Sequence, residues 1–272
     1  MKKINVLVLG STGMLGNTVT KYLLKNSQLN IIPTHRTDTY KLTHNSIKYD
    51  ILQDNLSTLP QNIDYVINCV GIIKPFVLNN IEATIKINSL FPWKLSHWAD
   101  SNNCKIIHIT TDCVYSGKKG KYIETDLHDA LDIYGKSKSL GEISSEAMVL
   151  RTSIIGEELH NYASLISWAK SQKGKTVDGY KTHYWNGITT LEYAKCCEKI
   201  IKNDLYQKGL YHIFASTDVT KYELLNIFNT KYNLNLNIKE SYPEKIDRTL
   251  RTSMSLCSIL KIPSVNQMLE VL

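Results

Sequence analysis

The chain has 272 residues, 43% of them hydrophobic, and a formal net charge of +7. That length suits one large domain or two small ones, and no apolar run approaches the roughly 18 residues that span a membrane, so no membrane partner is expected. The densest basic run is Lys118-Lys119-Gly120-Lys121, without interleaved aromatics. The charge therefore points away from nucleic acid and suits ligands that carry phosphates.

The six cysteines, Cys69, Cys104, Cys113, Cys196, Cys197 and Cys257, form no C-x-x-C pair. Free buried thiols are expected, with no metal site. Met1-Lys2-Lys3 followed by Ile4 to Leu9 superficially resembles a secretion signal. Gly10-Ser11-Thr12-Gly13 cuts the apolar run too short for that reading, and a cytoplasmic chain is expected.

Ile4 to Leu9 reads as a buried parallel strand. It runs into Gly10-Ser11-Thr12-Gly13-Met14-Leu15-Gly16, and a helical pattern follows with Met14, Leu15, Val19, Tyr22 and Leu23 on one side. A strand, a glycine turn and a helix place backbone N–H groups where a pyrophosphate can sit, so Gly10, Thr12, Gly13, Met14, Leu15 and Gly16 are candidate cofactor contacts. The spacing is G-x-x-G-x-x-G.

Leu29 to Arg36 reads as the second strand, with Pro33 as a blemish because proline lacks a ladder donor. It ends Thr34-His35-Arg36-Thr37, with no acid before Asp38. An acid at this place favours NAD, whereas an arginine accommodates the 2′-phosphate of NADP. NADPH is therefore the expected cofactor, with Arg36 as its contact and NADH as the alternative. Ser46 to Asp50 reads as a third strand ending at Asp50-Ile51. Ile63 to Val70 reads as a fourth, ending at Cys69-Val70-Gly71. Ligands bind beyond the carboxyl ends of parallel strands, which makes Asp50, Ile51, Cys69, Val70 and Gly71 further candidates. Residues 80–102 look helical, with Pro92 expected to start or kink a helix. Asn88 in this stretch is either a solvent-facing amide or a structural or cofactor residue.

A fifth strand ends at Thr110-Thr111-Asp112, residues 134–146 read as a helix, and Ala147 to Thr152 reads as a sixth strand. The alternation of strands and helices over residues 1–153 predicts a doubly wound α/β domain of Rossmann type. Residues 1–155 are read as that domain, completed by about 187–215, and residues 156–272 mainly as a smaller C-terminal α/β substrate lobe. Within 156–272, residues 161–172, 189–203 and 222–232 look helical and 209–214 looks like a strand. The four tryptophans are expected in the core, and several helical faces could pair two copies as a homodimer.

The pattern Y-x-x-x-K occurs twice, at Tyr115 to Lys119 and at Tyr134 to Lys138. Tyr115 precedes Ser116-Gly117-Lys118-Lys119-Gly120, a loop in which helical spacing means nothing, and reads as a packing residue. Tyr134 and Lys138 share one face of a predicted helix. A phenol has a pKa of about 10, too high for efficient proton transfer near neutrality. A lysine ammonium beside it favours the phenolate. Thr111 would hydrogen-bond a substrate oxygen. Thr111, Tyr134 and Lys138 are thus the candidate catalytic residues of a hydride-transfer enzyme, with Tyr134 and Lys138 also touching the cofactor.

These residues together resemble the extended short-chain dehydrogenase/reductase family. Thr110-Thr111-Asp112-Cys113-Val114-Tyr115-Ser116-Gly117, Gly120-x-Tyr122-x-Glu124-x-Asp126 and Tyr134-Gly135-Lys136-Ser137-Lys138-x-x-Gly141-Glu142 are similar to segments of dTDP-4-dehydrorhamnose reductases. The resemblance is specific over residues 1–153 and looser beyond, where Asp247-Arg248-Thr249-Leu250 resembles a late substrate-pocket segment. It implies reduction of the 4-keto group of a nucleotide-linked 6-deoxyhexose, in deoxy-sugar biosynthesis for polysaccharide or glycan. It also implies the catalytic roles of Thr111, Tyr134 and Lys138, the cofactor contacts, and substrate contacts at Asp112, Arg151 and Arg248. Related dehydratases carry Thr-Asp-Glu where this chain has Thr111-Asp112-Cys113, which argues against dehydration. A cysteine at that place in GDP-fucose synthases takes part in proton exchange. A 4-epimerase or combined epimerase/reductase therefore stays open, with His160 the nearest histidine. A non-catalytic regulatory subunit is the alternative of another class.

Overall fold

The computed structural model describes residues 2–37, 42–160 and 162–272. Asp38, the first acid after the second strand, and Asn161, the first residue of the predicted 161–172 helix, lie outside them. The chain divides into two compact units. One is Met1–Thr110, Leu131–Leu150 and Tyr193–Leu210; the other is Thr111–Ala130, Arg151–Glu192 and Tyr211–Leu272.

In chain order the elements are β1 (Ile4–Leu9), α1 (Met14–Leu23), β2 (Leu29–His35), β3 (Ile47–Lys48), β4 (Tyr65–Asn68), α2 (Ile81–Ile85), a π turn (Lys86–Leu90), α3 (Phe91–Ser101), β5 (Lys105–Thr111), α4 (Ile133–Leu140) and β6 (Met148–Thr152). There follow β7 (Ile154–Ile155), α5 (Leu165–Ser171), β8 (Thr176–Tyr180), β9 (His183–Trp185), β10 (Ile188–Thr189), α6 (Thr190–Lys202) and β11 (Gly209–His212). The chain ends with β12 (Val219–Thr220), α7 (Lys221–Lys231), β13 (Asn237–Ser241), β14 (Ile246–Asp247), α8 (Leu256–Leu260) and α9 (Val265–Glu270). A seven-stranded parallel sheet has the order β11-β6-β5-β4-β1-β2-β3, the doubly wound Rossmann architecture expected. Among the described residues β3 joins β2 at Thr34 and His35, and Pro33 pairs with Val8 of β1. Among the described residues no helix is long and apolar enough to cross a membrane.

In the first unit, Leu7, Leu9, Val66, Ile106 and Val149 line one face of the strands. Phe91, Leu95 and Ala99 of α3 cover them, with Ile143 and Ala147. Pro92 lacks the N–H that would close on the Asn88 carbonyl in a regular helix. The chain responds with the π turn, in which the Phe91 N–H reaches back to the Lys86 carbonyl. In the second unit Tyr115 stacks on Tyr122 at 4.0 Å, within a cluster with Val114 and Leu250. Three short strands there run in the order β12-β9-β14.

The helix predicted over 134–146 stops at Leu140. Gly141 is buried against the π turn, where a Cβ would lie 1.9 Å from the Asn88 carbonyl oxygen. Of the tryptophans, Trp185 is buried, but Trp93 and Trp168 are 37% and 40% exposed. Trp93 lies across the end of α4, its Nε1 donating to the Leu140 carbonyl at 2.9 Å. Gly141→Ala is expected to destabilise the protein by about 1–3 kcal/mol in urea unfolding, as overpacking at a backbone contact.

Candidate active site

The nucleotide turn is set by backbone geometry. Gly10 has φ +77°, open to glycine at little cost. Its carbonyl accepts from the Gly13 N–H at 3.0 Å, and a Cβ on Gly16 would sit 2.2 Å from that same oxygen. α1 therefore begins directly on the turn. The Gly10 N–H donates to Thr34 Oγ1 at 3.1 Å and Ser11 Oγ to the Thr34 carbonyl at 2.6 Å, tying the turn to β2. Gly13 caps α1 without any side-chain hydrogen bond, and the first turn carries no acid. Gly13 is exposed, Thr12 and Met14 half-buried, and the Leu15 side chain points into the core. A helix start left open in this way suits an anionic oxygen, so the residues present fit a dinucleotide's pyrophosphate.

The other strand ends follow. Arg36 stands exposed just past β2. Asp50 accepts from the Leu52 N–H at 3.0 Å, closing the turn after β3, while Ile51 packs on the core. After β4 the Val70 N–H donates to Asn68 Oδ1 at 3.2 Å. Burial pushes the Cys69 thiol up, and the residue as a whole is half-buried. Gly71 is exposed.

Asp132 starts α4 by accepting from the Gly135 N–H at 3.0 Å. Tyr134 is half-buried. Lys138 is 5% exposed, and its Nζ donates to the Ile109 carbonyl at 3.0 Å. Burial lowers the amine to about 8 from an ordinary 10.5, and Glu142 opposes the drop. A Cβ on Gly71 would lie 3.9 Å from Lys138 Nζ, so the bare glycine borders the amine. Asn88 proves to be structural: its side chain accepts from the Ile72 N–H at 2.8 Å and donates to the Ile72 carbonyl at 2.9 Å and to Ser137 Oγ at 3.2 Å. It joins the loop after β4 to α4. His108 lies buried below, its Nδ1 3.1 Å from Asn68 Nδ2. Burial, and then Lys138, hold its pKa well below the ordinary value, so it stays neutral.

In the second unit Thr111 caps a short turn. Its hydroxyl accepts from the Cys113 N–H at 3.1 Å and donates to Asp112 Oδ1 at 3.2 Å. Burial pushes the Asp112 carboxyl up, against the pull of Arg248 and then Lys221. Arg248 Nε donates to the Tyr115 carbonyl at 2.7 Å. Burial lowers Lys221, and the charge of Asp112 opposes this. Sequence reasoning missed Lys221, because only the β12-β9-β14 sheet brings this part of the chain near Asp112.

Arg151, which the resemblance places at the substrate, is enclosed by side chains of the second unit. It is 0% exposed, and its guanidinium meets the Tyr115 hydroxyl, His212 Nε2 at 2.9 Å and His128 Nε2 at 2.6 Å. His212 Nδ1 faces the Arg251 carbonyl at 2.7 Å, which puts the proton on Nδ1 and leaves Nε2 to accept. Arg151 thus lies inside the second unit, held among Tyr115, His128 and His212. All six cysteines are free, and among the described residues no group of three or more His, Cys, Asp or Glu could hold a metal.

A lysine whose pKa is depressed on folding costs stability while it is charged. The unfolded chain holds the extra proton between about 8 and 10.5, so the parent should gain stability as pH rises through that window. Lys138→Met should lack this rise and melt no lower than the parent at pH 7, measured by thermal unfolding across pH.

The family described as RmlD substrate binding domain matches residues 4–266. A dTDP-4-dehydrorhamnose reductase of Aggregatibacter actinomycetemcomitans is 28% identical over 242 residues, 80% of this chain and 76% of that protein. Methionine adenosyltransferase 2 subunit beta of Danio rerio is 26% identical over 246 residues, 84% of this chain and 74% of that protein. Among solved structures, the dTDP-4-dehydrorhamnose reductase of Bacillus anthracis in complex with NADP has a TM-score of 0.79 at 18% identity, covering 100% of this chain and 98% of that one. At that identity the likeness speaks for the fold. With one family spanning the sequence from β1 into α9, the chain belongs to the RmlD substrate binding domain family.

Proposed function

We propose that this protein is an NADPH-dependent reductase of the 4-keto group of a nucleotide-linked 6-deoxyhexose, with NADH as a poorer donor. The observation that carries the reading is the pairing, in one unit, of an open glycine turn under α1 with a desolvated lysine amine bordering Gly71. The reductase of Aggregatibacter actinomycetemcomitans supports the substrate class, and the NADP complex of the Bacillus anthracis protein supports the cofactor.

A reduced nicotinamide held by these residues would supply the hydride. The turn at Gly10, Gly13 and Gly16 and the start of α1 would hold the pyrophosphate, Arg36 would take the 2′-phosphate, and Asp50, Ile51, Val70 and Gly71 would line the remainder of the cofactor. Thr111 orients the substrate oxygen, and Tyr134 gives that oxygen its proton. Lys138, charged, lowers the cost of the phenolate that remains and holds the ribose hydroxyls. Asp112 and Arg248 contact the substrate, and the reaction runs in the cytoplasm.

The relatives named as a methionine adenosyltransferase subunit favour a second reading, a regulatory subunit that binds nucleotide without turnover. The retained Thr111, Tyr134 and Lys138 weigh for the enzyme.

The test is NADPH consumption by purified protein with a dTDP-4-keto-6-deoxy sugar, with the product identified by NMR. Tyr134→Phe should lower kcat by roughly 10²–10⁴-fold and leave NADPH affinity near the parent's. Near-normal turnover in that variant would remove Tyr134 as the proton donor. Binding of NADPH without turnover on any keto sugar would favour the regulatory reading. Arg36→Ala should weaken NADPH about tenfold relative to NADH, the loss of a charge-assisted contact, read by fluorescence titration of both cofactors.

A further inference from the structure

Ile109 and Thr110 are consecutive residues of β5, and each engages a different side chain at the end of α4. The Ile109 carbonyl accepts from Lys138 Nζ at 3.0 Å, and the Thr110 hydroxyl donates to Glu142 Oε1 at 2.9 Å. Lys138 and Glu142 stand four residues apart across the helix end. The Gly141 N–H donates to the Lys138 carbonyl at 3.1 Å and the Glu142 N–H to the Ser139 carbonyl at 3.2 Å. Gly141 lies against the Asn88 carbonyl, where no Cβ fits. The place of Glu142 is thus fixed from two sides, by Gly141 packed on the π turn and by a hydroxyl of the strand that also holds the lysine.

The groups around the amine are few. β5 presents the neutral His108, and α4 carries Tyr134 one turn before the lysine. The loop after β4 presents Gly71 and the π turn Asn88, neither of which titrates. Among the described residues, Glu142 is the acid whose charge acts on Lys138.

We propose that Glu142, held by Thr110, is a positioning residue of this site: its carboxylate keeps the buried Lys138 ammonium charged and seated on the Ile109 carbonyl. The proposal deepens the reductase reading, because it is there that a charged lysine supports proton delivery by Tyr134. It assigns Thr110 a purpose distinct from that of Thr111, the next residue along.

The decisive measurement needs no substrate. In protein labelled with ¹³C and ¹⁵N lysine, the Lys138 side-chain resonance, assigned by its loss in Lys138→Arg, is followed against pH. Glu142→Gln should lower its midpoint by about one pH unit. Glu142→Asp should restore most of that shift, and Thr110→Val should move the midpoint in the same direction by less. An unchanged midpoint in Glu142→Gln would overturn the proposal. If that variant does not fold, Thr110→Val decides: an unchanged midpoint there overturns it equally. With a keto sugar nucleotide turning over, the alkaline fall in kcat should move down in Glu142→Gln with KM little changed. Absence of turnover in the parent would count against the reductase reading alone, since the titration judges Glu142 without it.

Discussion

A charged amine taken out of water must find acceptors or give up its proton, and the first unit is built around that requirement at Lys138. The amine rests on the Ile109 carbonyl, at the end of the strand that continues into Thr111. To hold it there, α4 must start at a fixed point and stop at another. Asp132 fixes the start by capping, and Gly141 fixes the stop by fitting where no side chain can. Asn88 joins the helix to the loop after β4. The result is a lysine lowered far enough to respond near neutrality yet placed next to the glycine that borders it.

The parts of this arrangement governed by near neighbours were readable before any coordinates. The turn at Gly10, Gly13 and Gly16 depends on a strand, three glycines and a helix within a short span, and all three register as pattern. The same holds for the Tyr134–Lys138 spacing and for the rejection of Tyr115, whose glycine-rich surroundings spoil helical spacing. The strands came through as apolar runs because both faces of a parallel sheet are buried.

What escaped the sequence depends on distant partners. Arg151 is named only through the family resemblance, and a lone arginine in a sequence gives no sign of burial. Tyr115, His128 and His212 enclose it, and only the fold brings them together. Lys221 had no motif to mark it. Asn88 stayed undecided because its orientation depends on the π turn, itself a consequence of the missing N–H at Pro92. α4 ends earlier than its sequence pattern suggests because Gly141 packs on the Asn88 carbonyl, a contact that leaves no mark in the sequence.

The π turn has one more consequence. It inserts an extra residue into a single helical turn, which sets back everything after it by about 100° around the axis. Asn88 and Ser89, within the turn, reach Ser137 on α4, while Phe91, Leu95 and Ala99, after it, meet the sheet. One continuous rod thereby serves two clients in different directions, a polar one beside the lysine and an oily one beneath. Removing a single residue between Lys86 and Leu90 would rotate one set out of phase with the other, so the rod's count of residues, as much as their identity, is part of the site.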